Sequence, residues 1–76
     1  MTWRTEVIES MPLRVKISVP ELAERVRPNM KSYERRGIIS RVYGALRTEE
    51  PYGTVVCLGE GVDSNGKKAI LWMKLQ

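Results

Sequence analysis

The sequence predicts an α+β fold: three helices, a short strand after the first, and a C-terminal β-hairpin. Three observations predict it. Three segments carry apolar side chains at helical spacing, 3–11, 20–26 and a stretch within 31–48. Two apolar runs, 54-TVVCL-58 and 69-AILWMKL-75, flank a glycine-rich segment containing Asn65-Gly66, the strongest short hairpin signal in the chain. Between the first two helical segments, 13-LRVKI-17 alternates apolar and charged residues, as a half-buried strand does.

Each element has a local cause. Thr2 can cap a helix that runs to about Met11 and ends before Pro12, with Trp3, Val7, Ile8 and Met11 at helical spacing. Pro20 at the first helical position and Glu21 in the first turn start 20-PELAERV-26, whose inner face is Leu22, Ala23 and Val26. Pro28-Asn29 ends it. The next helix has Ile39, Val42 and Leu46 on one face and Ile38, Tyr43 and Ala45 at its edges, and is closed by Pro51 and Gly53. The segment 59-GEGVDSNGKK-68 is the expected hairpin tip, with a type I′ turn at Asn65-Gly66.

Composition bounds the function. The 76 residues form one domain over 1–76, with a modest core. There is no His, and the single Cys57 permits neither an internal disulfide nor a Cys/His zinc site. A lone cysteine within an apolar strand reads as a small core side chain. No nucleophile–base constellation or phosphate-cradling loop is present, so neither an enzyme nor a cofactor is expected. No apolar run is long enough to span a bilayer, and 1-MTWRTEVIES-10 lacks a signal-peptide core, so a cytoplasmic location without membrane contact is expected.

The charge is unevenly placed. The chain has 13 basic and 9 acidic side chains, net +4. Lys31, Arg35, Arg36, Arg41 and Arg47 against Glu34 alone give one segment an excess equal to that of the whole chain. A localised basic stretch fits a polyanionic partner.

The residues 19-VPELAERV-26 and 38-IISRVYGALRTEEPYGTVV-56, in this element order, resemble the winged helix-turn-helix family over nearly the whole chain. The first resembles the opening helix of the motif and the second its recognition helix with the strand that follows. Residues 59–68 would form the wing. The resemblance implies double-stranded DNA as partner and a role as transcriptional regulator or accessory factor; small basic members of this size occur among phage and mobile-element regulators. The connection 27-RPNMKSYERR-36 is longer than the usual turn of about three or four residues. In a competing alignment, 34-ERRGII-39 ends the recognition helix at Gly37 and 38–46 is a strand.

With Ile39 at the centre of the buried face and about 100° per residue, Val42, Tyr43 and Leu46 stay on that side. Gly37, Ser40, Arg41, Gly44 and Thr48 point away, with Arg36 and Arg47 on the flank. Arg35 falls on the buried side, so either its stem runs along the core edge or the regular helix begins at about Arg36. In the DNA reading, Arg36, Ser40 and Arg41 lie near base edges, while Lys31, Ser32, Tyr33, Arg35 and Arg47 suit phosphates. Gly37 and Gly44, one heptad apart with Ser40 between them, would let the groove wall approach. Asn65, Lys67 and Lys68 are the wing candidates. The bland reading of each is a solvated basic surface.

Trp3 and Trp72 read as core. In 69–75 both faces are apolar, Ile70 and Trp72 on one, Leu71, Met73 and Leu75 on the other, which hints at a homodimer or protein partner through this strand. Glu49 and Glu50 sit at a helix end where the macrodipole disfavours them, and Glu21 and Glu24 read as solvated. The alternative function is a protein-interaction adaptor. RNA ranks third, because exposed aromatics are limited to Tyr33, Tyr52 and Tyr43.

Overall fold

A computed structural model describes residues 2–76 as three α-helices and a three-stranded antiparallel sheet. Helix α1 spans Trp3–Ser10, and the Thr2 hydroxyl caps it by accepting from the Thr5 amide at 3.3 Å. Its inner side chains, Val7 and the following Met11, are buried, with Trp3 and Ile8 packed at the margin.

The strand expected at 13–17 is reduced to β1, Ile17–Ser18. Arg14 adopts φ 57°, a left-handed conformation through which a pleat cannot continue, so Leu13 and Val15 are left exposed. The Arg14 amide still donates to the Lys74 carbonyl at 2.8 Å, tying this turn to the end of the sheet.

Helix α2, Val19–Val26, starts one residue before Pro20. Ser18, fully buried, and Glu21 form a capping box: the Glu21 amide donates to the Ser18 hydroxyl at 3.3 Å and the Ser18 amide to the Glu21 carboxylate at 3.2 Å. Glu21 is therefore partly covered rather than solvated, and Glu24 pairs with Arg35 at 3.4 Å. Leu22, Ala23 and Val26 face the core as their spacing required.

Helix α3 spans Arg35–Glu49 without interruption at Gly37 or Gly44, so residues 38–46 are not a strand. It begins at Arg35, whose side chain is exposed and paired with Glu24, not laid along the core. The buried residues are Val42, Ala45 and Leu46, while Ile38 and Ile39 are half-buried and Tyr43 is 44% exposed. The inner face is thus rotated from Ile39 towards Ala45, whose small side chain fits between the helices. A 3-10 turn, Glu50–Tyr52, closed by Gly53 at φ 77°, leads into the sheet. Glu49 is matched by Arg4 of α1, which offsets its unfavourable place at the helix end.

Strands β2, Val55–Val62, and β3, Lys68–Lys74, form a longer hairpin than the glycine content suggested, and the sheet order is β1–β3–β2. Pairing runs from Val55↔Lys74 to Val62↔Lys68, with a bulge between Cys57 and Gly59. Gly59 supplies the left-handed φ of 80° at the bulge. At Gly61 an added Cβ would lie 2.5 Å from Leu71 Cδ1, so the missing side chain leaves room for Leu71 across the sheet.

The tip is not a type I′ turn. Asp63 accepts from the Gly66 amide at 3.0 Å and its own amide donates to Lys67 at 2.9 Å, and Gly66 has φ 79°. Asn65 does not have positive φ. This is a type I turn followed by a left-handed glycine, selected by the Asp63 carboxylate, which accepts from the Asn65 and Lys67 amides at 2.9 Å each.

Trp72, 2% exposed, anchors the core from the sheet, opposite Cys57 and Ile17. Among the described residues no helix is long and apolar enough to cross a membrane.

Candidate nucleic-acid interface

Helix α3 carries one face away from the core. Gly37, Ser40 and Gly44 lie exposed along it, and nothing lies within 4 Å of a Cβ built on either glycine. Packing therefore requires neither glycine. The Thr48 hydroxyl donates back to the Gly44 carbonyl at 2.8 Å, keeping that side chain on the helix surface.

The arginines divide between two flanks. Arg47 lies on the Tyr43 side: its guanidinium donates to the Tyr43 hydroxyl at 2.9 Å and sits 5.7 Å from the ring centroid. Tyr43 in turn meets Trp72 edge to face, centroids 6.3 Å apart. Arg36 lies on the same flank. It lines a groove of 560 Å³ between α3, the start of α2 and the start of β3, together with Ile39, Ser40, Tyr43, Lys68 and Ile70. The structure therefore brings Lys68 of β3 into the same groove as Arg36 and Ser40, neighbouring positions on α3.

Arg41 occupies the opposite flank, 5.5 Å from the Trp3 ring centroid, and Arg27 covers the same ring at 4.3 Å. Trp3 is thus a half-buried platform for two guanidiniums rather than a fully enclosed core residue. Arg27 is also held by Glu6.

Other candidates lie further away. Lys31, Ser32 and Arg35 border a separate hollow with Glu24 and Met30, and Tyr33 is 79% exposed. Arg35 has an acidic partner, whereas Lys31, Arg36, Arg41, Arg47, Lys67 and Lys68 have none within 4.0 Å among the described residues. Asn65 is drawn towards α2: the neighbouring Ser64 hydroxyl donates to Glu21, and Asn65 lines a hollow with Lys16, Glu21 and Glu24. Lys67 is exposed beside it.

Carboxylates that tie elements together are held below their ordinary range. Glu21 is lowered chiefly by the Ser64 hydroxyl, with burial opposing; Glu6 by Arg27; Glu49 by Arg4 and then Thr54. None of the three borders the groove between α3 and β3.

Sequence reasoning missed Tyr43 and Ile70 as parts of this surface. Tyr43 and Arg47 are four apart on one helix, a spacing that brings side chains together, so their bond was open to a sequence argument. The approach of Ile70 and Lys68 to Arg36 depends on tertiary packing. Comparison with protein-family models, curated proteins and solved structures finds no match to this chain.

Proposed function

We propose that this chain is a non-catalytic, double-stranded DNA-binding protein of the winged helix-turn-helix kind, acting as a transcriptional regulator or accessory factor. In this reading α3 enters the major groove and the β2–β3 hairpin is the wing. The observation that carries the proposal is the low, open strip of Gly37, Ser40 and Gly44, bordered by Arg36, Arg41 and Arg47, which have no acidic partner within 4.0 Å among the described residues. The helix and strand order supports it. Arg36 and Ser40 are placed for base edges, and Arg47, Lys67 and Lys68 for phosphates.

Selection of duplexes from a random pool tests this directly. A recovered motif is expected, with log K falling by roughly 0.9 per neutralised phosphate against log salt. Absence of retardation for every duplex at low salt would reject the proposal.

A second reading, a protein-interaction adaptor or homodimer using the C-terminal sheet, is favoured by the exposed Leu58, Val62 and Ile70 on its strands. Amide shifts confined to the sheet on adding a protein partner, with α3 silent on DNA, would select it.

A further inference from the structure

The groove between α3 and β3 differs chemically from its neighbours. Its floor and walls are Val19, Pro20, Ile39, Tyr43, Ala69 and Ile70. Its polar groups are Arg36, Lys68 and the Ser40 and Tyr43 hydroxyls, and among the described residues no carboxylate lines it. The neighbouring hollows each contain at least one: Glu24 beside Lys31, Glu21 and Glu24 beside Ser64, Glu34 beside Trp3, and Glu60, cross-strand from Ile70, in a shallow hollow that shares Lys68, Ala69 and Ile70 with this groove.

We propose that this groove is a binding site for a small anionic aromatic molecule, its ring against Tyr43, Ile39 and Ile70 and its acid group between Arg36 and Lys68. The groove's lining is mainly apolar with a few placed polar groups, the composition typical of small-molecule sites. Tyr43 is 44% exposed and its ring is fixed by the edge contact with Trp72 and the bond from Arg47, so a planar ligand meets a preset surface. Arg36 and Lys68 have no carboxylate within 4.0 Å among the described residues, so their charge favours an anion.

Resting on the proposed function, the site is also regulatory. A ligand there occupies Arg36, Ser40 and Lys68, which duplex DNA needs, so the two compete.

The test uses 1-anilinonaphthalene-8-sulfonate and its uncharged analogue N-phenyl-1-naphthylamine on the full chain. Expected results are one sulfonate bound per chain, amide shifts confined to 36–43 and 68–70, and weaker binding of the neutral dye. Lys68→Glu should weaken sulfonate binding about tenfold, while Lys16→Glu, the same charge change in another hollow, alters it less than about twofold. Shifts spread over Leu13, Val15 and Leu58, or equal effects of the two substitutions, overturn the site. If the dye binds as expected but no duplex is ever retarded, the site stands and the DNA function falls. If dye and duplex bind together without competition, the regulatory role is overturned.

Discussion

Ser64, in the turn of the C-terminal hairpin, donates its hydroxyl proton to Glu21 in the first turn of α2. The same carboxylate accepts from the Ser18 amide and hydroxyl. One side chain therefore caps a helix and fastens the hairpin tip to it. Ser64→Ala should loosen the tip at a cost of about 1 kcal/mol or less, seen as faster amide exchange over 62–68. Glu21→Ala removes the cap bond as well and should cost more, about 1–2 kcal/mol by urea unfolding. Equal costs would mean that the capping bonds of Glu21 add nothing beyond its contact with Ser64.

The lowered carboxylates set the direction of the pH dependence. Glu6, Glu21 and Glu49 bind protons less readily folded than unfolded. Their contribution is complete above the ordinary glutamate value of about 4.3 and is lost as pH falls through the lower folded values. Tm should therefore be steady from pH 7 to 5 and drop below pH 4. A Glu6→Gln, Glu49→Gln double variant should start lower at pH 7 and show a shallower drop, measured by thermal circular dichroism.

Gly61 and Gly44 should respond oppositely to an added side chain. A Cβ at Gly61 meets Leu71, only 6% exposed, so Gly61→Ala should cost about 1 kcal/mol. In a Leu71→Ala background that cost should vanish, which a double-mutant cycle measures. An unchanged cost would place its origin in the strand backbone.

How far the sequence specifies this structure differs by level. Helix existence was legible because Val7 and Met11, Leu22 and Val26, and Val42 and Leu46 repeat at helical spacing. The rotation of α3 was not, because periodicity gives a stripe while the neighbouring helix decides its centre, and Ala45 was small enough to be packed. Alternation in 13–17 overstated β1 because it carries no information on the left-handed turn at Arg14. The 18-SVPE-21 capping box was readable from spacing alone, whereas Glu21–Ser64 and Arg4–Glu49 join residues far apart in sequence. At the candidate interface, the outward strip of α3 was legible from one helix. The groove beside it was not, since its second wall comes from β3.

The open strip supplies a further prediction. Gly44→Leu adds a side chain where nothing lies within 4 Å, and replaces a poor helix former in an exposed helix interior. Stability should rise by about 0.5–1 kcal/mol in urea unfolding, while duplex affinity falls if a groove wall must approach the helix backbone. Unchanged affinity would mean that the glycine serves no close approach.

Arg36 and Lys68 should separate base reading from phosphate binding, although both border one groove. Arg36 projects from α3, beside Ser40 and the open strip, so under the proposed function its loss would remove a contact that distinguishes bases. Arg36→Ala should relax the preference at one position of the selected site by about 1–3 kcal/mol. Lys68 begins β3 on the exposed hairpin, where a cation contributes charge without a fixed geometry. Lys68→Ala should weaken every duplex alike and reduce the salt slope by about 0.9. Fluorescence anisotropy with matched and mismatched duplexes at several salt concentrations measures both. If Lys68→Ala changes sequence preference instead, the hairpin reads bases, and the division of labour between α3 and the hairpin is the reverse of that proposed.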